Sequence, residues 1–339
     1  MQGKSGARPT LEDVAAEAGV STATVSRCLS HPQKVRPVLR ERVQKIILQL
    51  GYTPHGAARA LASSRTNTIG AVIPTLSNAI FAEMVQTLQD ALTLDGRTLL
   101  LAANDYDLAR EIEQIEKLVV RGIDGLMLTG EERDPAVITL LQRHGIRSVC
   151  TYVHHPESRQ ATIGFDNREA MMRVVRYLHD LGHRRIAMIA GLPAGNDRAR
   201  ERIEGAEAAL AGRGIGLLQR IDKPYGIGEG RRALRRLFEL EERPTAVICG
   251  NDVLALGALL EAGELGIPVP AQLSITGFDD LALAREIPPG LTTVHAPLAE
   301  MGQRTAEFLM GDAPPGEQPL HLELPADLVV RGSSGPAPG

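Results

Sequence analysis

Apolar positions recur at helical spacing near the start of the chain and then give way to alternating strands and helices. Leu11, Val14, Ala15 and Ala18 fall at i, i+3, i+4 and i+7, one buried face of a short first helix. Gly19 supplies the left-handed residue that ends it. Ser21 is placed to cap the next helix, which turns Ala23, Val25 and Leu29 at least partly inward and leaves Thr22, Ser26 and Arg27 as a hydrophilic edge. A third helix is predicted from about Pro37 to Leu50, with Leu39, Val43, Ile46, Ile47 and Leu50 on one face and Gly51 at its end. Two short helices at a tight turn, the second polar near its N-terminus, have the shape of a major-groove reader.

From Thr66 onward the period changes. Ile69–Pro74 reads as a buried strand and about Ala79 to Leu94 as an amphipathic helix. Thr98–Ala102, a helix from about Leu108 to Arg121, and the strand Gly125–Thr129 follow. Further strands are predicted at Ser148–Tyr152, Arg185–Gly191, Thr245–Gly250 and Leu273–Gly277. This alternation predicts parallel, doubly wound sheets, and its length predicts two α/β lobes with a cleft between them. Ligands bind beyond the carboxyl ends of such strands. Asn78, Phe81, Tyr152, Phe165-Asp166-Asn167, Asn251-Asp252 and Phe278-Asp279-Asp280 lie there. Each also has a plainer reading: Asn251 and Asp279 as helix caps, Phe81 and Phe165 as core, Arg202 as an exposed helix charge beside Asp197, Arg198 and Arg200.

Charge separates the two parts. Residues 1–65 hold ten Lys/Arg against four acids, whereas the whole chain has 37 against 41 and a net charge of −4. A basic head on an acidic body points to a phosphate-bearing partner at one end, and with the helical turn it points to double-stranded DNA. Composition adds exclusions. Three scattered cysteines (Cys28, Cys150, Cys249) without a CxxC imply neither a disulfide framework nor a zinc site and suit a cytoplasmic protein. The start lacks an apolar leader and no run is long enough for a membrane span. His144, His154, His155, His179 and His183 have no Ser or Cys partner at catalytic spacing, so no enzyme is predicted. Gly226-Ile227-Gly228-Glu229-Gly230 misses the dinucleotide fingerprint because Gly230 falls one residue early and no strand is read before it. No cofactor and no metal are expected.

Between head and body, residues 52–65 form an alanine-rich basic segment too short for a stable isolated helix. It reads either as a linker or as a hinge that folds on DNA and presents Leu61 to the minor groove.

Thr10-Leu11-Glu12-Asp13-Val14-Ala15, Ala18-Gly19-Val20-Ser21, Thr24-Val25-Ser26-Arg27, Gly51-Tyr52-Thr53-Pro54 and Ala58-Arg59-Ala60-Leu61 together resemble the LacI/GalR family of bacterial repressors. Leu181-Gly182-His183, Cys249-Gly250-Asn251-Asp252 and Gly277-Phe278-Asp279-Asp280 extend the resemblance to about Val330. Residues 74–83 and 164–167 are similar to gluconate-responsive members.

The resemblance implies roles. Thr22 and Ala23 would set operator preference, and Arg27 would bond a guanine edge, a contact of about 1–3 kcal/mol. Ser21, Thr24 and Ser26 would touch phosphate. Ala58 and Leu61 would contact DNA from the hinge. Arg202, Asn251 and Asp279 would hydrogen-bond an effector walled by Phe81, Tyr152, Phe165 and Tyr225. His55 stands where asparagine is usual, and Gly56 lowers hinge helicity by about 1 kcal/mol.

The domains expected are a helix-turn-helix unit (1–51), a hinge (52–65) and a periplasmic-binding-protein-like effector and dimerisation domain (66–339). Within the last, the N-terminal lobe is 66–164 plus 294–325 and the C-terminal lobe 165–292. The Gly/Pro/Ser-rich tail 332–339 is expected to be disordered and, lacking a leucine heptad, to make no tetramer. The expected function is a homodimeric repressor released from a palindromic operator by a sugar or sugar acid. A regulator needing a purine or protein corepressor and a two-lobed solute receptor are the alternatives.

Overall fold

A computed structural model describes residues 9–30, 32–53, 66–77, 79–311 and 319–339. The expectations for Ala58, Leu61 and Asn78 lie outside those residues. The chain divides into two units, Met1–Asn67 and Thr68–Gly339.

In the first unit, helices α1 (Leu11–Ala18), α2 (Thr22–Ser30) and α3 (Pro37–Leu50) enclose a small core. Thr10 starts α1 with a reciprocal capping box: its Oγ1 accepts the Asp13 amide at 3.2 Å, and Asp13 Oδ2 accepts the Thr10 amide at 2.8 Å. Gly19 ends α1 at φ 62°, and Ser21 Oγ accepts the Thr24 amide at 3.2 Å at the head of α2. Val14, Ala15, Ala18, Val25, Cys28, Val43 and Ile46 are buried together. Ala23 is exposed rather than turned inward. Cys28, three residues after Val25, fills the inward face instead.

The second unit carries two parallel sheets. Strands β1 (Thr68–Ile73), β2 (Thr98–Ala103), β3 (Gly125–Thr129), β4 (Arg147–Thr151) and β5 (Ala161–Gly164) alternate with α4 (Ala82–Leu94), α5 (Leu108–Val120) and α6 (Pro135–Arg143). A late strand, β11 (His321–Glu323), joins them in the order β11-β5-β4-β3-β1-β2. Chain order then continues with α7 (Asn167–Asp180), β6 (Ile186–Gly191), α8 (Asp197–Ala211), β7 (Arg220–Lys223), α9 (Ile227–Phe238), β8 (Ala246–Cys249), α10 (Asp252–Glu264) and β9 (Ser274–Thr276). These form the second sheet, β7-β6-β8-β9. After α11 (Ala282–Glu286), β10 (Thr293–His295) pairs antiparallel with β12 (Asp327–Val329), and α12 (Leu298–Met310) returns to the first lobe against α4. Strands β1, β3, β6 and β8 are almost wholly buried apolar runs, as strands inside parallel sheets covered on both faces require. Strand order reverses beside β1 and beside β6, so each lobe has a switch point whose carboxyl end is a natural ligand site.

Two expectations need correction. Residues 332–339 are not loose. The amide of Ile275 donates to Ser333 O at 2.8 Å, Ser333 Oγ accepts the Thr292 amide at 2.8 Å, and the Ala337 amide reaches Leu181 O at 2.8 Å. Small residues are needed there because the chain runs against other backbone: a Cβ on Gly332 would overlap Pro289 O. In addition, a strand, β7, does precede Gly226. The glycines serve helix packing, since a Cβ on Gly230 would overlap Leu254 O of α10. Among the described residues no helix is long and apolar enough to cross a membrane.

Candidate DNA-reading helix and effector cleft

On the first unit, Ser21, Thr22, Ala23 and Arg27 are exposed along α2, with Thr24 and Ser26 half-buried beside them. Val25 and Cys28 anchor the opposite face in the core. A rigid helix thus presents hydroxyls, one methyl and one guanidinium on a single edge. That set can donate to phosphate and read a base edge. Exposed Lys34, Arg36, Arg42 and Lys45 add positive charge around α3.

In the second unit, the carboxyl ends of β1, β2, β6 and β7 surround a cleft. Its outer chamber has a volume of about 540 Å³ and is walled by Thr75, Tyr106, Leu192, Pro193, Pro224 and Tyr225. A narrow inner chamber of about 20 Å³ continues from it, between Phe81, Tyr152, Arg198, Arg202 and Asp279.

Arg202, on the second turn of α8, is the centre of that inner chamber. Its Nε donates to Asn167 Oδ1 at 2.8 Å and its Nη1 to Gly250 O at 2.8 Å. Its Nη2 lies 3.5 Å from Asp279 Oδ1, and the guanidinium sits 3.6 Å from the centre of the Phe278 ring. Asp279 holds a left-handed backbone at φ 108°, and its Oδ2 is buried with no hydrogen-bond partner among the described residues. Burial pushes its carboxyl up to about 6 from the ordinary 3.8, against the pull of Arg202 and Arg198. An incompletely satisfied carboxylate beside a fixed guanidinium can take hydroxyl donors and acceptors from one polyol.

The aromatic residues divide. Phe81 meets Tyr152 edge-on at 5.3 Å, and Tyr152 is pinned by its hydroxyl donating to Ile80 O at 2.6 Å. Tyr225 lines both chambers, opposite Tyr106 at 6.0 Å between ring centres. Burial raises the phenol pKa of Tyr106, Tyr152 and Tyr225, so they stay neutral donors near pH 7. Phe165 lines neither chamber; its ring packs at a tilt against Phe278 in the core, 5.9 Å between ring centres. Asn251 also stands back from the chambers and caps α10, its Oδ1 accepting the Leu254 amide at 3.0 Å.

The sequence reading missed Tyr106, Asn196 and Arg198. Arg202 is buried, not the exposed helix charge of its plainer reading, and Arg198 is buried beside it, its Nη1 held 2.7 Å from Asp197 Oδ1. Tyr106 sits in the turn after β2 with Asp105, both at positive φ. Its place at the carboxyl end of β2 is the sequence signal that points to it.

Comparisons with known proteins agree on this organisation. Residues 10–55 match the model of bacterial regulatory proteins of the lacI family, and residues 175–334 match a periplasmic binding protein-like domain. The HTH-type transcriptional repressor CytR of Escherichia coli K12 is 33% identical over 340 residues, covering 97% of each chain. Among solved structures, a complex of the transcriptional regulator CelR with cellobiose is 29% identical, with a TM-score of 0.69 over 96% of this chain and 100% of that one. The lac repressor dimer bound to operator and the anti-inducer ONPF is 25% identical, with a TM-score of 0.84 over 97% and 100%. The chain belongs to the LacI/GalR family of bacterial transcriptional regulators.

Proposed function

We propose that this chain is a homodimeric repressor that reads a palindromic operator through α2 and releases it when a sugar or sugar acid binds the cleft. The observation that carries the effector half is the buried Arg202–Asp279 pair, with one carboxylate oxygen unpartnered, under a lid of Tyr and Phe rings. Such a site suits a neutral or acidic polyol: hydroxyls for Asp279 and Arg202, C–H faces for Phe81 and Tyr225. The DNA half is supported by the exposed edge from Ser21 to Arg27 and the basic surround of α3. Arg202, Asp279, Tyr106, Tyr152 and Tyr225 are the effector contacts; Thr22, Ala23 and Arg27 are the base readers. Rearrangement of the lobes around ligand would alter operator affinity by a coupling free energy that acts equally in both directions.

The test is a gel-shift titration on duplexes enriched from a random pool, across salt and with a panel of sugars and sugar acids. Salt-insensitive binding would remove the DNA half, because phosphate neutralisation makes affinity fall steeply with salt. A ligand that strengthens binding would instead identify a corepressor.

A further inference from the structure

The two lobes are also tied together outside the chambers, along the far edge of the cleft. From the first lobe come the loop after β3 (residues 130–133) and the loop between β4 and β5; from the second come the first two turns of α8. The Asp197 carboxylate of α8 accepts the amides of Glu131 at 2.5 Å and Glu132 at 3.0 Å. Arg200 of α8 pairs with Glu132 at 2.5 Å. The His155 ring lies between Glu131 of its own lobe, 2.5 Å from Nδ1, and Glu201 of the other, 2.8 Å from Nε2. Those two hydrogen bonds, Glu131 first, raise the His155 pKa to about 10, so at neutral pH the ring is a cation with both N–H groups engaged. Ser158 Oγ donates to the other Glu131 oxygen. Gly130 lets the lobes approach: at φ 74° it has no side chain, and a Cβ there would overlap the Arg198 guanidinium and the Asp197 carboxylate. Behind the loop, Arg133 is fixed by a buried pair with Glu111 at 3.1 Å.

We propose that Glu131, Glu132, His155, Asp197, Arg200 and Glu201 form an inter-lobe clasp that holds the cleft closed and sets the energy of opening it. None of the six lines either chamber, so the clasp acts through lobe position and not through ligand contact. Its place in the chain gives it leverage, because Asp197 stands between Asn196 and Arg198, both of which line the inner chamber. With the clasp shut, the inner chamber of about 20 Å³ has room for about one water molecule. A polyol reaches Arg202 and Asp279 only after the lobes part, and apparent affinity falls with the fraction of molecules that are open. That consequence rests on the effector reading above; the clasp itself is testable with neither effector nor DNA.

The experiment is hydrogen exchange of the intact, ligand-free protein at pH 7, read at the peptide containing Glu131 and Glu132. His155→Asn and Glu201→Gln leave the Asp197 acceptor in place, so faster exchange reports parting of the lobes. The expected result is at least about tenfold faster exchange in both variants, with β1 and β6 protected as in the parent chain. Nitroxide labels on Gln142→Cys and Ala211→Cys, one per lobe, should show a new, longer-distance population in the same variants. The native cysteines are buried, so labelling is selective. Arg200→Gln, at a half-exposed position, is the second variant should His155→Asn not fold. Unchanged exchange at 131–132 would overturn the proposal. So would faster exchange with an unchanged label distance, since the contacts would then pin only a loop. Failure of the sugar panel with an intact clasp result would sink the effector reading alone.

Discussion

Replacing Arg202 by alanine should destabilise the second unit by an amount that grows with pH. Arg202 is buried and satisfies Asn167 Oδ1 and Gly250 O. Losing those two neutral acceptors' donors costs about 1 kcal/mol each, a floor of about 2 kcal/mol at any pH. Asp279 adds the pH-dependent part. Because burial raises its folded pKa to about 6, the fold favours the neutral acid. That favourable contribution is complete below the unfolded value of about 3.9 and is lost as pH rises through 6, a loss of about 3 kcal/mol by linkage. Arg202 limits the loss by pairing with the carboxylate. Without it, Asp279 must either bind a proton at high pH or remain a buried, uncompensated charge. Removing one member of such a pair costs about 3–5 kcal/mol. Urea unfolding followed by far-UV circular dichroism suits a chain with no tryptophan. At pH 5 the variant should lose about 2 kcal/mol, and at pH 8 about 3–5 kcal/mol. Arg202→Ala with Asp279→Asn should abolish the pH dependence and leave a coupling term in the double-mutant cycle. A loss independent of pH, or smaller at pH 8 than at pH 5, would refute the reasoning. The same keystone role means that Arg202→Ala tests ligand binding only after folding has been checked; Asp279→Asn is the gentler probe.

Other outcomes follow from single contacts. Arg27→Ala should weaken binding to a selected duplex by about 1–3 kcal/mol and relax preference at one base position, read by competition with single-base variants. Thr10→Ala removes the α1 capping box and should cost the first unit about 1 kcal/mol in thermal unfolding. Truncation before Ser333 removes its bonds to Ile275 and Thr292 and uncovers His183, whose Nε2 lies 3.0 Å from Gly335 O. A urea midpoint matching the full chain would show the tail to be dispensable. Titrating the parent chain upward should release the clasp as His155 deprotonates. Its contribution, facing Glu131 and Glu201 with Ser158 and Asp197 behind them, is complete below pH 6.5 and lost through about pH 10, seen as rising exchange at residues 131–132 beyond the intrinsic base catalysis.

How far the sequence carried this account varied with the kind of signal. Helices with a clear period and caps were legible: Gly19, Ser21 and Gly51 stand at the ends predicted from their backbone and side-chain chemistry. Long buried strands such as β1, β3 and β6 were legible as apolar runs. Of the three- and four-residue strands, β8 and β9 were legible, whereas β7 and β10 to β12 were not, because they are too short to show a period and exist through pairing partners distant in sequence. The tail misled for a related reason. Glycine and serine in Gly332–Gly335 look like linker, yet here they allow close backbone approach, a tertiary demand with no local signature. In the cleft, Phe81, Tyr152 and Asp279 converge as their strand-end positions predicted, and Arg202 and Tyr225, which the resemblance alone pointed to, line the same inner chamber. Phe165 and Asn251 followed the plainer readings of core and cap. Nothing local marks His155 as the centre of a clasp, since Glu131 and Glu201 lie 24 and 46 residues away along the chain.

In the proposed function, cleft occupancy governs what α2 does on DNA. Its most direct measurement is the affinity of the full chain for a selected palindromic duplex, by fluorescence anisotropy at fixed salt, with and without each member of a sugar and sugar-acid panel, in the parent and in Asp279→Asn. At least one panel member should weaken binding of the parent by about tenfold or more, a coupling of about 1.4 kcal/mol, and leave Asp279→Asn bound. Equal affinities with every sugar, or an undiminished response in Asp279→Asn, would contradict it.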